Sequence, residues 1–122
     1  MATSSQNQLA RTEALVLVAE EAGAVISYTY SALEGMDFIA LRGPAGVVYD
    51  LIVDASRRRG GIGRSLLETT VACLVERGAP SVVLSTAAQN EAAQTLFEAC
   101  GFRRTMIEMS LDIKAPAAAQ GL

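Results

Sequence analysis

Histidine is absent from this 122-residue chain. Ser-His and Cys-His nucleophile pairs and imidazole metal ligands are therefore unavailable, which excludes the usual hydrolase triads. Cysteine is scarce. Cys73 and Cys100 both fall in stretches that read as helices, so we expect small buried hydrophobes in a reducing compartment, with no disulfide and no zinc or other metal site. Positive charge is also short: ten Lys and Arg stand against 13 Asp and Glu, a net charge of −3. A broad basic footprint for nucleic acid is thus missing, and the expected partner is a small molecule. No apolar run approaches the roughly 18 residues that span a bilayer, and "MATSSQNQLARTE" has no apolar signal region. The expectation is a cytoplasmic protein with no membrane contact.

What is present is a 51% apolar composition, enough for one compact core. Small and polar residues at 1–8 and 115–122 read as flexible tails around a folded domain at 9–114. "ALVLVAE" and "AVISYTYSAL", separated by "EAG", predict a β-hairpin. "VVYDLIVD" (47–54) is almost continuously apolar, the pattern of a central strand covered on both faces. From 61 to 77, Leu67, Val71, Leu74 and Val75 share one helical face, and Gly78 stops the helix. "SVVLSTA" (81–87) is the next strand, parallel to 47–54 through the crossover helix. Asn90 is an N-cap for a helix through Cys100, ended by Gly101. "RRTMIEMSLDI" (103–113) alternates, with Ile107, Met109, Leu111 and Ile113 on one face of a half-buried strand. The order β-β-β-α-β-α-β defines an α/β fold with a mixed sheet.

"RRRGGIGRSLL" (57–67) puts four arginines and three glycines between a strand and a helix. Helix starts offer unpaired N–H groups and a partial positive charge, and glycine lets an anion reach the backbone. Neither the Walker pattern GxxxxGK[ST] nor the dinucleotide pattern GxGxxG is present. Arg58, Arg59, Gly60, Gly61, Ile62 and Gly63 instead fit "[Q/R]xxGx[G/A]", and the chain resembles the GNAT superfamily of acyl-CoA-dependent N-acyltransferases. The resemblance extends through "VVYDLIVDASRRRGGIGRSLL" and "NEAAQTLFEACGF", which is similar to the family's "NxxAxxLYxxxGF", and covers 47–102.

That resemblance implies a GNAT-like mixed sheet with crossover helices and acetyl-CoA as cosubstrate. Its pyrophosphate would rest on the amides of Gly61 to Arg64, and its pantetheine on the backbone of Ile52 and Val53, where the central strands splay apart. Asn90 matches an asparagine that contacts the cofactor, besides its plain capping role. The implied reaction is direct attack of a primary amine of a small molecule or protein on the thioester. The N–H of Val53 would serve as oxyanion donor, and Asp50 would orient the amine or take its proton. Tyr49 is expected on the opposite face from Asp50, as packing. Where the family carries a general-acid tyrosine, seven residues after the asparagine, this chain has Phe97, so protonation of the thiolate would fall to water, to the ammonium formed by attack, or to a hydroxyl such as Tyr28 or Tyr30. The family's N-terminal strand and two helices precede the hairpin, whereas about twelve polar residues stand here; either another subunit supplies the wall of the acceptor site, most simply in a homodimer, or the pocket is unusually open, or activity has been lost. The alternative is a non-catalytic CoA-binding or protein-interaction module.

Overall fold

The computed structural model describes residues 2–6, 14–58 and 60–114. Five strands form one mixed sheet in the order β1 (Ala2–Gln6), β2 (Ala14–Glu21), β3 (Ala24–Glu34), β4 (Ala45–Val53) and β5 (Val82–Leu84). Neighbours are antiparallel except β4 and β5, which run parallel. Helix α1 (Ile62–Glu76) makes the crossover between them, and α2 (Glu91–Ala99) follows β5.

The expected hairpin is β2–β3, turned at Ala22 (φ 52°) and Gly23 (φ 83°). Positive φ at both central residues gives the turn the twist that two strands need. The capping expectations also hold: the Asn90 side chain accepts the Ala93 N–H at 3.1 Å, and α2 is followed by Gly101 at φ 98°. The core lies between one face of the sheet and α1, where Leu15, Leu17, Val48, Leu66, Leu67, Leu74 and Ala79 cluster. Thr29 and Thr70, both fully buried, meet there through their hydroxyls at 2.7 Å. Thr70 donates to the Leu66 carbonyl at 2.8 Å, so Thr29 is the donor between the two hydroxyls.

Several expectations are corrected. The first tail is partly strand, because Ala2–Gln6 pairs with β2; ladder bonds are made by backbone, and polar side chains do not prevent them at an edge. The 115–122 tail lies outside the described residues. The α1 stripe is rotated: Leu66, Leu67, Thr70 and Leu74 are buried, while Val75 is 56% exposed. Thr70 belongs to the inward face because its hydroxyl is satisfied by Thr29. β4 is covered on one face only, since Tyr49 and Ile52 are exposed on the other. It stands next to the short last strand, not at the centre of the sheet.

The last expected strand does not form. Residues 103–114 have no regular pairing, and Ile107, Met109, Leu111 and Ile113 are 79–88% exposed. A strand exists only through its neighbours, and this segment starts along α2: the Arg104 guanidinium lies 2.8 Å from Glu98 and 2.7 Å from Gln94.

Candidate active site

Helix α1 begins at Gly61, whose φ of 83° and ψ of 0° are left-handed. No side chain caps the helix. Its first bond runs from the Ser65 N–H to the Gly61 carbonyl at 3.0 Å, so the N–H groups of Ile62, Gly63 and Arg64 have no helical acceptor. A Cβ on Gly61 would meet nothing within 4 Å, so the space beside this residue at the helix start is open. One on Gly63 would touch Val53 Cγ2 at 3.4 Å and Leu96 Cδ2 at 3.6 Å, which seats the helix start against the end of β4. The flanking arginines are committed elsewhere. Arg57 grips Glu21 at 2.6 Å, Arg58 donates to the Val53 carbonyl at 3.3 Å, and Arg64 pairs with Glu68 at 3.2 Å. Arg59 lies outside the described residues. An anion at this helix start would therefore meet backbone donors more than free guanidinium charge.

β4 pairs with β5 only over Gly46–Val48, and its remaining residues run on beyond the end of β5. This is the expected splay. Before it, the Gly46 N–H points toward β5, bonding the Ser81 carbonyl at 2.8 Å. At the far end, the Asp54 N–H bonds the Ile26 carbonyl at 2.8 Å, and the Ile52 carbonyl accepts from Ser27 at 2.8 Å. The even-numbered residues there face β3, so alternation turns the backbone of Leu51 and Val53 into the splay. The Val53 N–H points to the unpaired side of β4, whereas the Ile52 backbone serves the β3 ladder and the Leu51 backbone shares the side of Val53. The cause is a β-bulge, for the register passes from Tyr30↔Asp50 to Ser31↔Val48 and leaves Tyr49 as the extra residue.

The bulge also moves Tyr49. Its ring lies 5.5 Å from that of Tyr30, the cross-strand partner of Asp50, so Tyr49 shares the face of Asp50 and does not oppose it. Among the described residues no helix covers that face, which exposes Tyr28, Tyr30, Tyr49, Asp50 and Ile52. The Tyr49 hydroxyl donates to Glu34, and its pKa is pushed up to about 12, first by lost hydration and then by the Glu34 carboxylate. Arg42 lies 3.7 Å from both Glu34 and Asp37, tying the loop at 35–44 to this end of the face. Within the loop, Asp37 accepts the N–H groups of Ile39 and Ala40, each at 3.0 Å. The Ala40 bond is the main reason its carboxyl is held below the ordinary value.

Asn90 uses its side-chain oxygen as the α2 cap. Phe97 is half-buried against the core, its ring 6.1 Å from Phe102. Cys73 and Cys100 are free thiols packed against the same core, and burial pushes the Cys100 thiol up, as for a hydrophobe and not a nucleophile. Among the described residues there is no cluster of three or more potential metal ligands, and no helix is long and apolar enough to cross a membrane.

A parallel β4–β5 pair that splays beside a glycine-started helix defines an acyltransferase fold. The chain belongs to the acetyltransferase (GNAT) family, which it matches over residues 2–102. Among its relatives is mycothiol acetyltransferase of Thermobispora bispora, 34% identical over 96 residues that make up 75% of this chain and 31% of that protein. Another is the [ribosomal protein bS18]-alanine N-acetyltransferase of Escherichia coli K12, 37% identical over 60 residues, 49% of this chain and 40% of that one. The chain thus spans well under half the length of these relatives. The fold is shared with aminoglycoside N-acetyltransferase AAC(6')-Iy in complex with CoA, at a TM-score of 0.76 and 17% identity over 88% of this chain and 81% of that chain. It is shared too with AAC(6')-IG of Acinetobacter haemolyticus, at 0.72 and 18% over 88% and 75%.

Proposed function

We propose that the protein is an acetyl-CoA-dependent N-acetyltransferase acting on a primary amine. The observation that carries this reading is the pairing of an open, uncapped α1 start at Gly61 with a Val53 N–H freed into the adjoining splay. Acetyl-CoA supplies a thioester already activated toward amines. The N–H groups of Ile62, Gly63 and Arg64 hold its pyrophosphate, and the backbone of Leu51 and Val53 holds its pantetheine arm. The Val53 N–H faces the carbonyl oxygen, donating as negative charge builds there. Asp50, on the open face, orients the ammonium and takes its proton through water. Phe97 has no proton to give, so the departing thiolate takes one from water or from Tyr28 or Tyr30. A thiol pKa near about 8.5 makes modest help sufficient.

The free thiols of Cys73 and Cys100 fit a reducing compartment, so we assign the activity to the cytoplasm. We also assign the working unit as a homodimer, supported by the uncovered sheet face and by the exposed apolar residues of 103–114.

The test is incubation with acetyl-CoA and a panel of small amines and amino-terminal peptides, following free thiol. Amine-dependent thiol release is expected, and Asp50→Asn should lower turnover roughly 10²-fold with CoA affinity nearly intact. Tight CoA binding with no thiol release from any amine would leave a CoA-binding module instead.

A further inference from the structure

Across the splay from β4 the chain is exposed, yet it is tied down. β5 ends at Leu84, whose partner is Val48, and the two strands are parallel. Residues 85–89 therefore leave β5 on the far side of the opening that Tyr49 to Val53 border. All five are exposed. Exposed residues bring little apolar contact to fix a segment, so its place rests on hydrogen bonds.

Those bonds converge on one side chain. The Gln94 amide, in the first turn of α2, donates to the Ala88 carbonyl at 2.7 Å and to the Ala87 carbonyl at 3.2 Å. Its oxygen accepts from the Arg104 guanidinium at 2.7 Å, and a second nitrogen of that guanidinium donates to Glu98 at 2.8 Å. The direction of the amide is forced. Carbonyls only accept and a guanidinium only donates, so the amide nitrogen must face Ala87 and Ala88 and its oxygen must face Arg104. The Asn90 N–H joins the Ala87 carbonyl at 3.0 Å, which makes the turn into α2 part of the same tie. No peptide bond here is cis, so drawing two successive carbonyls to Gln94 turns the N–H groups of Ala88 and Gln89 away from it. The tie also reaches the α1 start: Leu96, two residues beyond Gln94, lies 3.6 Å from where a Cβ on Gly63 would stand.

We propose that Gln94, oriented by Arg104, is a positioning residue for acetyl-CoA, holding residues 85–89 as the wall of the splay opposite Leu51 and Val53. The inference rests on the acetyltransferase reading given above and adds a residue to it. Gln94 touches no reacting atom in this role. The groups assigned to the thioester and the amine, the Val53 N–H and Asp50, belong to β4, so releasing the wall costs cofactor affinity and leaves the chemical step intact.

The test uses the full chain and reads CoA affinity by calorimetry, KM and kcat for acetyl-CoA, and thermal unfolding. Gln94→Leu should weaken CoA and raise KM about tenfold, with kcat within about twofold and the melting temperature nearly unchanged. Thr95→Leu, at the exposed neighbour on the same helix, should alter none of these. Arg104→Ala should weaken CoA about threefold by itself and add nothing to Gln94→Leu, because it acts through that side chain. Gln94→Lys with Arg104→Ala should return CoA affinity to within about threefold of the unmodified protein, since an ammonium can donate to both carbonyls with no guanidinium beside it. Unchanged CoA affinity in Gln94→Leu would overturn the positioning role and leave the acetyltransferase reading in place. A fall in kcat and melting temperature together would overturn it too, as the mark of a structural residue. An Arg104→Ala loss that persists in full beside Gln94→Leu would overturn the part given to Arg104. The calorimetric arm decides even for a protein without turnover, and an unmodified protein that binds no CoA would overturn the positioning role and the acetyltransferase reading together.

Discussion

A single side chain at Gly61 separates the cost of backbone strain from the cost of blocking the phosphate. Gly61 has φ 83° and ψ 0°, and a Cβ there meets nothing within 4 Å, so substitution causes no clash in the free protein. What it costs is conformation: a β-branched residue in the left-handed region loses about 1–2 kcal/mol, whereas asparagine tolerates that region. Gly61→Val should therefore lower the melting temperature by roughly 4–8 °C and Gly61→Asn by far less. Both place atoms in front of the Ile62–Arg64 donors, and both should weaken CoA at least tenfold, about 1.4 kcal/mol. Gly23 supplies the control, since it too has φ 83° and open space around its Cβ position, at the remote β2–β3 turn. Gly23→Val should match the stability loss of Gly61→Val and leave CoA affinity unchanged. Isothermal titration with CoA and thermal unfolding read the two effects apart. Unchanged CoA affinity in both Gly61 variants would refute the cradle.

Phe97→Tyr should keep the fold and CoA binding, and turnover against pH should acquire a new high-pH limb; loss of folding would show that the ring's far end is buried in the core. Tyr49 has a folded pKa raised from 10.0 to about 12, so the stability it adds is complete below about pH 10 and is lost as pH rises toward 12. Tyr49→Phe should remove that alkaline loss from the denaturant midpoint and delete a phenol that ionises at about 12 from an ultraviolet titration. Thr70→Val strands the Thr29 hydroxyl in the core and should cost about 1–3 kcal/mol in denaturant unfolding. Thr29→Val with Thr70→Val should recover much of it, and strictly additive losses would show that the two hydroxyls do not depend on each other.

The elements that could be read in the sequence are those whose cause is local. The Ala22–Gly23 turn, the Asn90 cap, the glycine before α1 and the apolar runs of β2 to β5 each carry their reason within a few residues. The crossover between parallel β4 and β5 follows from their spacing. The features that could not be read depend on a neighbour. β1 is made by backbone pairing with β2 and leaves no apolar signature. The 103–113 alternation is a true strand pattern, yet a pattern does not supply a partner. The resemblance implies the backbone of both Ile52 and Val53, and only the register against β3 reveals the extra residue at Tyr49 and turns the Ile52 backbone toward β3.

That extra residue makes β4 a strand with a counting rule. Val48 before the bulge and Leu51 and Val53 after it all turn toward α1, although their numbers differ in parity. Without Tyr49 the order Val48, Asp50, Leu51, Ile52, Val53 alternates as a regular strand, so losing that one residue would keep Leu51 and Val53 toward α1 and the Val53 N–H outside the β3 ladder. A second loss between Val48 and Val53 finds no bulge to absorb it and would turn Leu51 and Val53 to the opposite face. In lineages descended from this chain, one deletion beside Tyr49 should therefore be tolerated, and a second should undo the arrangement even where the sheet survives.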